Sequence, residues 1–177
     1  MGPVGHTVIS SAVGVGVGAA TGSPVAGAIA LGAGVLMDAD HLFDFYQWYI
    51  KGRPNRVYVL LHAWEYSVIG LVILAAIFFH PFLLAVVIAH LFHVAADHLH
   101  NRLSPFAYFI GYRIIKRFDS ASIAPGYDVM YAYRSWPKLI PFGRWLTPWF
   151  QRRIEPWFEE RVRRASRAQP SSYQSED

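Results

Sequence analysis

Ala89-His90-Leu91-Phe92-His93-Val94-Ala95-Ala96-Asp97-His98-Leu99-His100 closes a long apolar run that begins near Phe82, and it carries four of the eight histidines and an aspartate. At about 3.6 residues per turn, a helix here gathers His90, His93, Asp97 and His100 into one narrow arc and turns His98 away. Imidazoles and a carboxylate are costly on an apolar helix unless something meets them, and one metal ion meets several at once. What the stretch is for depends on where the other ionisable residues fall.

The 177 residues fit a single domain, and 54% are hydrophobic against 16% charged, a balance that leans away from an ordinary soluble fold. Zero cysteines exclude disulfides and thiolate zinc sites, so any metal must be held by His, Asp and Glu. Residues 1–100 hold three basic side chains (Lys51, Arg53, Arg56) and five acidic ones (Asp38, Asp40, Asp44, Glu65, Asp97), and every other basic residue lies between Arg102 and Arg167. A basic, aromatic second half beside apolar runs suits an anionic membrane surface better than nucleic acid. The first residues lack the charged start of a cleavable signal peptide, so Met1 onward reads as mature protein.

Gly5 to Ala20 is small and apolar, with Gly14, Gly16 and Gly18 at alternate positions. Thr21-Gly22-Ser23-Pro24 is a turn with helix-start chemistry, and a second Gly/Ala-rich segment runs from Val25 to about Met37. No phosphate-loop lysine or acidic ribose partner accompanies the glycines, so they predict two closely packed membrane helices. Asp38 to Arg56 reads as a polar, aromatic connection. Val57 to Phe79 is long enough to span, His80-Pro81 is a second tight turn, and Phe82 to about Leu99 runs back. The expectation is an all-α integral-membrane four-helix bundle over residues 1–100, made of two antiparallel hairpins. Residues 101–168 read as interfacial amphipathic helices, among them Phe106–Phe118, with Asp119 to Pro141 loop-like. Residues 169–177 read as a disordered tail. Both hairpin tips lack Lys and Arg, so the positive-inside rule puts the termini in the cytoplasm of a bacterial inner membrane, which the chain crosses several times.

With that topology, His6, then Asp38, Asp40 and His41, then His62 and Glu65 about two turns into the third helix, then His93 and Asp97 all come to the cytoplasmic end. Mixed imidazole and carboxylate ligands suit zinc first, then manganese or iron, whereas calcium takes oxygen alone. There are ligands enough for one or two divalent ions. With no cysteine and no serine-histidine-aspartate order, the expected nucleophile is a water activated by the metal, with Glu65 as a ligand or the general base. The plainer alternative is a structural polar network in a membrane scaffold or metal-binding protein without catalysis. His80 reads as a solvated turn residue, and His98 and His100 as helix-end caps.

Taken together, His6, Met37-Asp38-Ala39-Asp40-His41, Leu61-His62-Ala63-Trp64-Glu65 and His93-Val94-Ala95-Ala96-Asp97 resemble the predicted membrane-bound metal-dependent hydrolases (YdjM-like). That family shows an N-terminal His, a Pro-Asp-x-Asp-His element, a Thr-His-Ser element and a late His-x-x-x-Asp, distantly like the ligand series of zinc-dependent phospholipase C. Met37 stands here for the proline, and Leu61 and Ala63 stand for the hydroxyl residues. The resemblance covers about residues 5–100 and implies His6, Asp38, Asp40, His41, His62, His93 and Asp97 as metal ligands. The expected activity is hydrolysis of a small or lipid-like ester or phosphoester beside the bilayer.

Overall fold

The structure is a computed structural model that describes residues 2–53, 55–101 and 103–168. The tail expected to be disordered, 169–177, lies outside the described residues. Helix α1 (Pro3–Thr21) starts on a proline and stops at Gly22, whose φ of 63° only glycine adopts freely. Ser23 then accepts a hydrogen bond from the Ala26 amide and opens α2 (Pro24–Leu36). The two helices touch through missing side chains: a Cβ on Gly14 would stand 2.8 Å from the Gly27 carbonyl oxygen, and one on Gly27 would stand 2.6 Å from that of Gly14. This is the close packing of small residues that the glycine pattern predicts.

The polar connection expected after Met37 is instead helical. A 3₁₀ turn (Met37–Asp40), a short helix α3 (His41–Phe45) and a π turn (Tyr46–Ile50) prolong α2 into one rod, Pro24–Ile50. The change of pitch brings Asp38 and His41 onto one side of the rod.

The third helix is shorter than expected. Helix α4 covers Trp64–Ala76, so His62 precedes it and Glu65 sits in its first turn. Residues 57–63 escape helix formation because their backbone groups are satisfied elsewhere. The Tyr58 and Val59 amides donate to the Asp44 carboxylate at 2.8 and 2.9 Å, and Arg113 donates to the carbonyls of Tyr58, Val59 and His62. His80 caps α5 (Pro81–His100) by accepting from the Phe82 amide. Helix α5 packs against α1, α2 and α4. Among the described residues, three helical segments are long and apolar enough to cross a membrane: α1, the Pro24–Ile50 rod and α5.

The second half also departs from the expected pattern. Phe106–Phe118 reduces to α6 (Ile110–Ile115), because Arg113 turns inward to the loop carbonyls instead of outward. The stretch Asp119 to Pro141, expected as loop, carries α7 (Ser120–Ile123), a 3₁₀ helix (Val129–Ser135) and α8 (Trp136–Leu139). Asp119 and Asp128 supply the caps that start two of them. Helices α9 (Gly143–Arg153) and α10 (Glu155–Ala168) follow. These pieces are packed onto the rod: Tyr49 is buried with Met130, Tyr133, Phe158 and Val162, and its hydroxyl donates to the Met130 carbonyl. On α10, Glu160 pairs with Arg163 and Arg164, while Glu159 reaches Arg134 and Tyr133.

Candidate metal centre

Four segments deliver the cluster. His6 comes from the first turn of α1, Asp38 and His41 from the pitch change in the rod, His62 from the irregular stretch before α4, and His93 and Asp97 from successive turns of α5. His6, Asp38, His93 and Asp97 each offer a ligand atom within 4.8 Å of the others, and so do Asp38, His41 and His62. Asp38 belongs to both sets. His6, His62, His93 and Asp97 are buried, whereas the side chains of Asp38 and His41 remain 29% and 52% exposed.

The tautomers follow from the partners. His93 Nδ1 lies 2.8 Å from the Gly34 carbonyl, which can only accept, so this nitrogen carries a hydrogen. His62 Nδ1 lies 3.0 Å from Asp40 Oδ2 and donates likewise. Both Nε2 atoms therefore point inward and stand 2.9 Å apart, each 3.4 Å from Asp38 Oδ1. Two lone pairs facing each other need a cation between them, either a proton or a metal ion. His6 stacks on His93 with ring centroids 3.9 Å apart, and its Nε2 is buried 3.0 Å from Asp97 Oδ1, at ion-pair distance. Burial works against charge on His62, but hydrogen bonds to Asp38, Asp40 and Asp97 outweigh it and push its pKa up to about 11.

Among the expected ligands, Asp40 stands behind the cluster. Its Oδ2 accepts from His62 Nδ1 and from the Leu61 amide, an orienting position that second-sphere carboxylates commonly take. Glu65 is not brought to the cluster: its Oε1 accepts from the Gly111 amide at 3.1 Å. His90 turns to Ser67 and to the Leu61 carbonyl, at 2.6 and 2.8 Å. His98 accepts from the Trp64 indole.

Sequence reasoning missed Arg113, which is 1% exposed and clamps the His62 loop through three carbonyls. Its one signal was an arginine in an aromatic segment with no acidic neighbour at helical spacing. Asp44, fully buried, holds the other side of that loop.

Beside the cluster lies a cavity of about 720 Å³. Asp38, His41, His62 and Asp97 form part of its wall, while His6 and His93 hold the cluster from behind. The donor set, two imidazoles and two carboxylates in one group and one carboxylate with two imidazoles in the other, fits a divalent transition ion. The chain matches no family model, no curated protein and no solved structure.

Proposed function

We propose that the protein is a membrane-bound metal-dependent hydrolase acting on an ester or phosphoester at the cytoplasmic face of a bacterial inner membrane, with zinc the first choice of ion. The observation that carries this reading is the pair of ligand sets sharing Asp38, with the Nε2 atoms of His62 and His93 held inward by Asp40 and Gly34. The four-residue set would be filled by protein donors alone. The set of Asp38, His41 and His62 leaves a position open, as catalytic sites do, and all three residues line the cavity. Asp38, His41 and His62 would hold a divalent ion there, which would supply Lewis-acid polarisation of an ester oxygen and activation of water. Asp38 and Asp97 stand at the cavity wall as acceptors for the proton that the attacking water gives up. Arg113 and Asp44 keep His62 in place.

Metal analysis of the purified full-length protein tests this. We expect stoichiometric transition metal in the native protein and its loss in His93→Ala and Asp97→Ala. A metal-free native protein, or variants that keep the metal, would end the proposal.

A second reading has an observation of its own. His62 is already hydrogen-bonded to carboxylates, so a proton can complete the cluster as a structural network in a membrane scaffold. Under that reading His93→Ala lowers thermal stability and no metal is found.

A further inference from the structure

The walls of the cavity decide what kind of ester fits. Apart from the ligand residues, Asn101 and Arg113, they are aromatic and aliphatic, with Trp48, Leu103, Ile123, Val129, Trp136 and Leu139 among them. Arg113 is the one Arg or Lys lining it among the described residues, and both terminal nitrogens of its guanidinium donate to backbone carbonyls. Its Nη1 and Nη2 are tied to the His62 loop and only its buried Nε makes no hydrogen bond among the described residues, so the guanidinium is anchored to the backbone and not free to close bidentately on a phosphate. Asp38 and Asp97 add two carboxylates to the same wall, so a dianionic group meets repulsion that the single Arg113 charge offsets only in part. A mostly apolar cleft with a few convergent polar groups is instead the pattern of a site for a neutral, hydrophobic ligand, and 720 Å³ lies within the usual range of such sites.

We propose that the cavity takes the apolar acyl chain of a neutral carboxylic ester, with the ester carbonyl beside Asp38, His41 and His62, and that it does not serve phosphoesters. This rests on the hydrolase reading of the metal centre and narrows it. The reaction balances with water alone. The water oxygen bonds to the acyl carbon as the carbon–oxygen bond to the alcohol breaks. One water proton passes to the departing alcohol oxygen, the other stays with the acid, and no electron acceptor is needed.

The test uses full-length protein exchanged into amphipol and loaded with zinc. Its substrates are p-nitrophenyl acetate, butyrate and octanoate, set against p-nitrophenyl phosphate and bis(p-nitrophenyl) phosphate. We expect kcat/KM to rise about threefold per added methylene as the chain is buried, with both phosphoesters at background. Ala132→Phe, which fills part of the cavity away from the ligands, should cut octanoate turnover about tenfold and spare acetate, at unchanged zinc content. Octanol binding, read by the fluorescence of Trp48 and Trp136, reports occupancy without any activity. Turnover of a phosphoester with the carboxylic esters at background overturns this proposal and leaves the hydrolase reading standing. Absence of an octanol response in the native protein also overturns it. A native protein without metal overturns both.

Discussion

His6 Nε2 and Asp97 Oδ1 stand 3.0 Å apart, buried, at ion-pair distance, on helices far separated in the chain. With Asp38 and His93 they offer four ligand atoms within 4.8 Å of one another, a spacing that one ion can bridge. His6→Ala should therefore empty the four-residue position, while His98→Ala, whose imidazole accepts from Trp64, should keep the metal. Elemental analysis of the two purified variants separates them, and equal metal content in both would remove His6 from the ligand set.

Asp40 sets the direction of His62 without belonging to either ligand set. Asp40→Asn should weaken metal binding by about 10–100-fold, the usual cost of disturbing a carboxylate behind a ligating imidazole. Competition titration against a chelator measures it. Loss as complete as in His93→Ala would make Asp40 a ligand after all.

Proton linkage gives a third expectation. The folded pKa of His62 is raised to about 11 from an ordinary 6.5, so its proton stabilises the metal-free protein fully below about pH 6.5, and that contribution fades as pH climbs through about 11. A metal ion must displace this proton to use Nε2. Zinc added to metal-free protein at pH 7 in weak buffer should release about one proton per His62 engaged, and apparent affinity should grow with pH. Zinc uptake without acidification would show that His62 stays outside the coordination sphere.

Arg113 is buried and holds three loop carbonyls at once. Arg113→Met leaves those acceptors without their donor, at about 1–3 kcal/mol each, and should lower the thermal midpoint by several degrees. His62 loses its clamp in the same step, so metal at the Asp38–His41–His62 position should weaken too. A variant as stable as the native protein would show that solvent or neighbouring groups replace the guanidinium.

Two glycines of the first helix pair should answer differently to alanine. A Cβ at Gly16 meets nothing within 4 Å, so Gly16→Ala should stabilise by about 0.5–1 kcal/mol through helix propensity. A Cβ at Gly27 meets the Gly14 carbonyl oxygen at 2.6 Å, so Gly27→Ala must push α1 off α2 at a cost of about 1–3 kcal/mol. Denaturation of both variants in detergent checks the opposite signs.

The histidine–aspartate cluster was largely legible in the sequence because charged and imidazole groups are rare in apolar helices. His6, Asp38, His41, His62, His93 and Asp97 stood out against their surroundings and do come together. The helical nature of the first half was legible for the same reason of composition. What was not legible depends on backbone hydrogen bonds made over long separations. The extent of α4 is set by Asp44 and Arg113, which take up the polar groups of residues 58–62 from far along the chain. Asp40 and Glu65 carry the chemistry of ligands, and only the turn of the rod and the position of Gly111 send them elsewhere. The short helices after residue 119 depend on local Asp caps and on an aromatic core that no periodic pattern announces.

The two central imidazoles differ in what fixes them. His62 is aimed by a side chain, Asp40, and His93 by a main-chain oxygen, that of Gly34. Genetic selection can therefore reach the orientation of His62 through a single codon at position 40. No codon encodes the loss of a peptide carbonyl, so a point mutation reaches the aim of His93 only indirectly, as when a side chain at position 34 collides with Ser10. A random library screened for altered metal preference should gather more of its changes around the His62 side of the cluster than around the His93 acceptor.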